Sequence, residues 1–236
     1  MSVPASSSGR QAGFTGAPAT VHLRHSKEDI MNAAIPASTR EQLLAQAQKL
    51  IRSRGYHGFS YRDLAAVVGV KTSSIHYYFP CKDDLVNCAL KDYSDHARAS
   101  LQAIDPKLPA RERLQRYAEL MESHACQGDQ LCMGTMLAAD MLALPEEARA
   151  ELQKFFRVHE EWIAGVLADG KRDGTLRFAG TPEDTARTVF ATLQGCLLVA
   201  RLFKVPPRMG ESLATLYMPE DEAKPAPASD TAAPAA

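Results

Sequence analysis

Two short helix patterns separated by a glycine lie in residues 58–85, which read GFSYRDLAAVVGVKTSSIHYYFPCKDDL. Ser60 followed by Asp63 is a start signal for the first helix, because the hydroxyl and the carboxylate can satisfy backbone N–H groups in the first turn. Gly69 ends that helix, and Pro80 ends the second one because proline cannot continue the hydrogen-bond ladder. Two short helices joined by a tight turn are typical of a helix-turn-helix motif.

The spacing of apolar residues is helical on both sides of this motif, and no region has the alternation of a β-strand. Within 181–204 the apolar positions are too many for one stripe, which predicts a helix buried on two sides, the second by a partner subunit. The predicted helices cover 39–54, 60–68, 72–79, 82–104, 109–127, 131–143, 145–170 and 181–204. The sequence therefore predicts an all-α protein with a three-helix N-terminal module followed by a helical domain.

Composition places the chain among ordinary soluble proteins. The chain has 236 residues, of which 45% are hydrophobic and 23% charged, so a mostly disordered, collagen-like or disulfide-scaffold protein is excluded. No run approaches the roughly 18 apolar residues of a membrane span, since Arg201 interrupts the densest stretch. Five cysteines without a CxxC pair, and no apolar signal segment, indicate a reduced, cytoplasmic chain.

Changes in composition predict four segments. Residues 1–36 and 219–236 are predicted to be a disordered arm and a disordered tail, and Met31 is an alternative translation start. Residues 37–86, which are predicted to be the helix-turn-helix domain, carry seven Lys or Arg and four acidic residues, whereas residues 87–218 belong to an acidic remainder. This asymmetry favours contact between the first module and a polyanion.

The motif residues 58–85 closely resemble the DNA-binding module of the tetracycline-repressor (TetR) family of bacterial regulators. The resemblance covers about residues 39–86, and its most specific part is the aromatic block Tyr77-Tyr78-Phe79 followed by Lys82-Asp83-Asp84-Leu85. It implies a homodimer that binds a double-stranded palindromic operator and responds to a small-molecule effector. It also implies that 87–218 is an effector-binding and dimerisation domain, with a four-helix interface built from helices 145–170 and 181–204.

The second helix of such a motif enters the major groove, so its first turn supplies the base contacts. The resemblance makes Arg62 the candidate for a bidentate guanine contact, with surface pairing to an acid as the alternative. Ser60 either contacts phosphate or only caps its helix. Tyr78 and Phe79 are expected in the module's core. The candidate DNA contacts are Ser60, Arg62, Thr72, Ser73, Ser74, His76, Tyr77 and Lys82, the last two directed to phosphate.

The motif departs from the family pattern at three positions. Lys71 stands where a Ser or Thr cap is usual, Ser73 where glycine is common, and His76 where tyrosine is common. Thr72 is a replacement cap, which would shift the first turn of the recognition helix. These departures leave the operator sequence open.

A chemically mixed set of side chains in the larger domain suits an effector cavity. His159, within an apolar stripe, is the polar group singled out; the alternative for it and its neighbours is a place in the core. The candidate ligand residues are Tyr117, Met121, His124, Met136, Phe155, His159, Trp162 and Phe190.

The cysteines leave a second switching chemistry open. Cys132 begins a predicted helix, where a thiol can become reactive, although no Lys or Arg is its neighbour in sequence. His124, Cys126 and Cys132 match no compact zinc pattern, so no metal and no cofactor are predicted. No nucleophile–base motif or phosphate-binding glycine loop indicates an enzyme. The alternatives are a thiol-based repressor using Cys132, or a helical carrier or enzyme with a vestigial DNA module.

Overall fold

The computed structural model describes residues 38–125, 129–214 and 216. Within those residues the chain forms nine α-helices and one short 3-10 helix, without a β-strand, so the all-α prediction is confirmed. The helices are α1 Thr39–Arg54, α2 Tyr61–Val68, α3 Thr72–Tyr78, α4 Lys82–Gln102, α5 Ala110–Ala125, α6 Met133–Ala139, the 3-10 helix Met141–Ala143, α7 Glu146–Asp173, α8 Pro182–Phe203 and α9 Met209–Ala214.

Capping side chains fix the helix starts where the sequence predicts them. Ser60 accepts from the backbone N–H of Asp63 while Asp63 accepts from the backbone N–H of Ser60, which completes the predicted capping box of α2. Thr181 caps α8 in the same manner by accepting from Asp184. Gly69 adopts the left-handed conformation (φ 77°, ψ 30°) that ends α2 and sets the turn before α3.

Helices α1 to α3 enclose a core of fully buried side chains. Leu43, Leu64 and Ile75 are 0% exposed, and Phe79 is 1% exposed. Tyr78 is 37% exposed, so its predicted place in the core is wrong. It is the last residue of α3, and its ring packs edge-on against Tyr77 instead of entering the module.

Helix α4 runs without a break through residue 86, where the sequence analysis divides the chain. Its first turns pack in the α1–α3 core, and that same core includes Met133, Leu137 and Leu152 from α6 and α7. A second core joins α5, α7, α8 and α9 around side chains such as Tyr117 and Phe190. The DNA-binding module is therefore packed directly onto the larger helical part.

The structure differs from the sequence-based prediction at three points. The helix predicted over 131–143 is two pieces, α6 and the 3-10 helix, joined at Asp140. Helix α9 was not predicted, because a six-residue helix gives little periodic signal. Thr72 is not the cap of α3: Lys71 holds that position, without a side-chain capping bond. The predicted arm 1–36, the tail 219–236 and Met31 lie outside the described residues.

Helix α8 presents apolar side chains on two faces. One face, with Val189, Phe190, Leu193 and Leu197, is buried against the rest of the chain. The other face exposes apolar side chains: Leu198 (46%), Val199 (53%), Leu202 (75%) and Phe203 (68%). The two-sided apolar pattern is confirmed, and the outer face has no partner within the described chain.

Helix α8 is also long and apolar enough to cross a membrane by length and composition alone. The sequence predicts no membrane span here, because Arg201 interrupts the apolar run. A core helix of a soluble protein passes the same test. Its packing against the other helices, and the bond from Arg201 Nη2 to the Ser53 carbonyl (2.6 Å), fit a core helix.

Candidate DNA-binding surface and effector cavity

The recognition helix α3 presents a solvent-exposed polar face. Thr72, Ser73, His76 and Tyr77 are exposed, and Ser74 is half-buried. Tyr77 is 81% exposed, so its hydroxyl is accessible to a partner outside the module. The predicted base and phosphate contacts on this helix thus lie on accessible positions of the same short element.

Arg62 lies on α2 with an exposed side chain. Among the described residues, no carboxylate lies within ion-pair distance of its guanidinium, so the alternative of a surface pair with Asp63 is not realised. Asp63 instead bonds Ser60, which holds the pKa of that carboxyl below its usual value. Arg62 therefore keeps both edges of its guanidinium for an external acceptor.

His76 has a double role on α3. Its ring packs edge-on against Tyr61 of α2, with centroids 4.8 Å apart, and its Nδ1 lies 3.1 Å from the Pro80 carbonyl. A carbonyl can only accept, so Nδ1 carries the proton and Nε2 of the neutral ring is an acceptor. Tyr61 in turn donates to the carbonyl of Phe79, 2.8 Å away. Together these contacts tie the two helices of the motif to each other.

The Lys82-Asp83-Asp84 segment holds the module together. The Lys82 ammonium donates to the carbonyls of Tyr56 (2.5 Å) and Phe59 (2.6 Å) and lies over both rings. Burial lowers the pKa of Lys82. Its predicted phosphate contact is therefore corrected: the charge is turned inward and used by the fold.

The two acids of that segment are internal partners as well. Asp83 accepts from the Tyr56 hydroxyl; burial, and after it this bond, raises the pKa of Tyr56 to about 12. Asp84 accepts from the backbone N–H of Cys81 and so caps α4. Lys82, Asp83 and Asp84 therefore all bond to other parts of the fold.

Lys71 is a functional candidate that the sequence analysis passed over. It immediately precedes α3, and its side chain is exposed. An ammonium beside the first turn of the recognition helix can neutralise a phosphate. A lysine at the cap position of the recognition helix is the sequence feature that indicates this role, in addition to being a departure from the family pattern.

A cavity of about 570 Å³ lies between the DNA-binding module and the larger helical part. Helix α1 supplies one wall and α4 the next, with α5, α7 and α8 completing it. Its lining residues are Glu41, Leu44, Ala45, Gln48, Arg52, Asp92, Tyr93, His96, Ala97, Ser100, Tyr117, Leu120, Met121, Cys132, Phe155, His159, Gln194 and Leu197.

Four of the predicted ligand residues line this cavity: Tyr117, Met121, Phe155 and His159. Two others lie behind the lining, since Trp162 stacks on Tyr117 at 5.4 Å and Phe190 stacks on His159 at 5.1 Å. Met136 lies elsewhere, with its sulfur 3.8 Å from Arg201. These three residues do not line this cavity, because helix periodicity shows which residues turn inward but not which side of the core they face. The side chain of His124 lies outside the described residues.

His159 and Tyr117 form a buried hydrogen-bonded pair. The Tyr117 hydroxyl is 2.9 Å from His159 Nδ1, and the two residues are 0% and 7% exposed. Desolvation lowers the pKa of His159 to about 4 and raises the pKa of Tyr117 well above its usual value. Both side chains are consequently neutral near pH 7.

Gln194 is a lining residue that the sequence analysis missed. Its Oε1 accepts from the Thr135 hydroxyl (2.6 Å), which fixes the orientation of the amide. The signal was a polar residue within the apolar run Phe190, Leu193 and Leu197 of α8. A buried amide in such a run is costly unless it is bonded, so its presence points to a specific use.

Several hydrogen bonds join the C-terminal half of α1 to the larger helical part. Arg52 Nε donates to the Leu131 carbonyl (2.9 Å), and the Leu131 N–H donates to the Arg52 carbonyl (3.0 Å). Gln48 donates to Asp92 (2.8 Å). Arg201, from α8, bonds the Ser53 carbonyl. The wall of the cavity and the back of the DNA-binding module are thus the same helix.

The turn after α1 adds a further contact. Asp140 accepts from the Tyr56 N–H at 2.7 Å, and a Cβ on Gly55 would lie 2.7 Å from the same carboxylate. Gly55 has φ 77° and so can be replaced only with strain. This glycine, which caps the C-terminal end of α1, also makes room for the contact with Asp140.

Cys132 is the N-cap residue of α6 and lines the cavity, with 8% of its surface exposed. The Tyr93 hydroxyl lies 3.9 Å from its sulfur. No Lys or Arg is close to Cys132 in the sequence, but in the fold the buried Arg52 side chain donates to the carbonyl of Leu131, the residue before Cys132. Cys126, which was considered as a zinc ligand together with His124 and Cys132, lies outside the described residues, which contain no group of three potential metal ligands.

Comparison with known proteins gives one consistent family. The profile of "Bacterial regulatory proteins, tetR family" matches residues 43–88. The HTH-type transcriptional repressor NemR of Escherichia coli is 26% identical over 176 residues, covering 73% of this chain and 88% of NemR. A TetR transcriptional regulator from Legionella pneumophila has a TM-score of 0.69 at 29% identity, covering 77% of this chain and 98% of its own.

A TetR-family transcriptional regulator from Agrobacterium tumefaciens has a TM-score of 0.70 at 30% identity. The match covers 76% of this chain and 98% of that protein. The predicted family and its regulatory role are therefore confirmed. With its helix-turn-helix and helical second part, the chain belongs to the TetR family of bacterial regulatory proteins and is a DNA-binding transcriptional regulator.

Proposed function

We propose that the protein is a cytoplasmic, homodimeric repressor that binds a palindromic operator and leaves it when a small molecule enters the cavity. One observation carries the proposal: α1 is both a wall of that cavity and the scaffold of the DNA-binding module. A ligand that displaces α1 changes the position of α3 in the same step. The relatives are transcriptional regulators, and we propose no catalytic activity.

On DNA, we assign direct base contacts to Arg62 and to the exposed first turn of α3. Thr72, Ser73 and Ser74 supply short hydroxyls, and His76 supplies Nε2 as an acceptor for an exocyclic amine. Tyr77 and Lys71 are assigned to phosphate, which positions the module without reading sequence. Ser60, already engaged in its capping box, contributes its helix N-terminus to a phosphate.

The exposed face of α8 is the proposed dimer interface. Leu198, Leu202 and Phe203 form an apolar surface that one chain leaves in water, and association of two copies removes it. Helix α7 packs beside α8 and completes a four-helix arrangement across the two-fold axis. Two helix-turn-helix modules then face half-sites about one helical turn apart.

The coupling between cavity and operator follows from the contacts of α1. A ligand shifts the equilibrium only if its affinity differs between the two conformations. Gln48 and Arg52 line the cavity while bonding Asp92 and Leu131. A ligand that favours a different arrangement of these bonds therefore moves α1 and changes the spacing of the two modules.

We expect Arg62→Ala and Tyr77→Phe to weaken DNA binding in different ways. Arg62→Ala removes a bidentate base contact, so operator affinity falls by about 1–3 kcal/mol and discrimination relaxes at one base pair. Tyr77→Phe removes a phosphate contact, so operator and random DNA lose affinity about equally. Fluorescence anisotropy on an operator selected from random duplexes, in parallel with a scrambled duplex, measures both effects.

Arg116→Ala is the matched control, since it removes an exposed arginine of α5 that pairs with Glu112 and Glu119. It should leave both affinities unchanged. If Arg62→Ala weakens operator and scrambled DNA equally, Arg62 is only a phosphate contact. If no duplex is selected at all, the proposed regulator does not bind DNA in the ligand-free state.

A thiol switch is the second candidate, because Cys132 lines the cavity beside a helix N-terminus. We propose that the switch is noncovalent, since the sulfur is buried and electrophile sensing needs an accessible thiolate. Cys132→Ser should keep operator affinity within about twofold, because a noncovalent switch makes no use of the thiolate chemistry of the sulfur. Release by N-ethylmaleimide that occurs in the wild type and not in Cys132→Ser would establish the thiol switch instead. Cys81→Ser is the control, because Cys81 is exposed in the DNA-binding module.

A further inference from the structure

Two buried donors in the cavity have no partner among the described residues. They are Nε2 of His159 and Nε2 of Gln194, and each residue is only 7% exposed. Both residues line the cavity. An unpaired buried polar group is costly, so two in one cavity point to a bound partner that satisfies them.

The tautomer of His159 follows from its neighbour. Tyr117 is 0% exposed, and its hydroxyl is paired with His159 Nδ1. If Nδ1 carried the proton, the phenolic hydrogen would have no acceptor in that bond; all hydrogens are used only if Tyr117 donates to Nδ1. The proton of the neutral imidazole is then on Nε2, which is a donor.

Gln194 presents a donor for a similar reason. Its Oε1 is held by the Thr135 hydroxyl at 2.6 Å, which leaves the NH₂ group for the cavity. The two N–H groups are neutral, and the side chains around His159 are aromatic: Phe155 lies 4.5 Å and Phe190 5.1 Å from its ring, centroid to centroid. Among the described residues, no charged side chain shifts the pKa of His159, which burial alone lowers, so this end of the cavity offers neutral hydrogen-bond donors in an apolar setting.

We propose that the cavity selects neutral, largely apolar molecules with a carbonyl-type acceptor, which His159 Nε2–H and Gln194 Nε2–H bind. The proposal rests on the effector role of the cavity and names the class of effector. Carboxylates and ammonium ions are disfavoured, because at this end of the cavity no opposite charge among the described residues offsets the free-energy cost of desolvating an ion. A hydrocarbon of the same shape leaves both donors unpaired and is rejected as well.

Four probes of one shape test the proposal by calorimetry: 2-acetylnaphthalene, 2-ethylnaphthalene, 2-naphthoate and 2-naphthylmethylammonium. We expect the ketone to bind at least about tenfold more tightly than the hydrocarbon, the size expected for two neutral hydrogen bonds. His159→Phe and Gln194→Leu should each reduce that preference to about threefold or less. Met121→Leu, a lining change without a donor, should alter both affinities by the same factor.

Several results would overturn the proposal. Equal binding of ketone and hydrocarbon, an unchanged preference in both variants, or no ketone binding at 1 mM would each do so. Tighter binding of naphthoate would make Arg52 the anchor, and tighter binding of the ammonium would make Asp92 the anchor. Operator release is measured separately: a ketone that binds with the expected preference but does not release DNA contradicts the proposed effector response and leaves the ligand class intact.

Discussion

Leu198→Glu is expected to convert the protein into a folded monomer that no longer holds its operator. Leu198 is 46% exposed in the single chain, so the carboxylate stays hydrated there and the fold is preserved. In the proposed dimer the same carboxylate is buried without a partner, which costs about 3 kcal/mol or more and raises the dimer dissociation constant at least ~100-fold. Sedimentation velocity at micromolar concentration measures the change, and circular dichroism checks the fold.

Leu142→Glu is the matched control for this substitution. Leu142 is a leucine of the 3-10 helix, 90% exposed and remote from α8 in sequence. The same change there should leave both the dimer and operator binding intact. A Leu198→Glu protein that sediments as a folded dimer would place the interface on another surface.

Acid is expected to destabilise the protein through His159. The folded-state pKa is lowered to about 4, whereas the reference value is 6.5, because burial disfavours the charged ring. Above pH 6.5 the ring is neutral in both states and adds no pH dependence. Below pH 6.5 the unfolded chain binds a proton at His159 that the folded chain does not bind. The free energy of unfolding therefore decreases between pH 6.5 and pH 4, by about 3 kcal/mol in total.

Urea unfolding at pH 7 and pH 5, at one protein concentration, measures this loss. About 2 kcal/mol should disappear between these values in the wild type. His159→Phe should remove that part of the pH dependence, since its ring keeps the stacking position against Phe190 and cannot titrate. His57→Gln, a change at an exposed histidine, should retain it. An equal loss in His159→Phe and the wild type would assign the effect to other groups.

The helices of this protein were predictable because their signals are local. Ser60 with Asp63, Gly69 and Thr181 each act within one turn of their own helix, so spacing in the sequence is sufficient to place them. The family followed from the motif 58–85 in the same way. Features that depend on tertiary contacts were harder to predict. Lys82 donates to the carbonyls of residues 56 and 59, and no pattern in the sequence around residue 82 indicates these bonds.

The cavity shows the same limit. Tyr117, Phe155 and His159 were found because aromatic and polar residues stand out on a helix stripe. Trp162 and Phe190 were placed in the lining by the same logic, yet each lies one layer behind it. Gln48 and Arg52 were not considered, because they belong to a helix that the sequence assigns to DNA binding. Which residues share a wall depends on the packing of distant helices.

The double use of α1 has a consequence for recombining regulators of this kind. A chimera that joins the first 86 residues of this chain to the sensor of a relative would carry Gln48 and Arg52 into a foreign cavity and would separate them from Asp92 and Leu131. Such a hybrid inherits its operator from one parent but a mixed inducer response from both. The boundary between sensing and DNA binding in this chain runs along one face of α1. A chimera that preserves the effector response must therefore keep the cavity-facing residues of α1 together with the sensor domain.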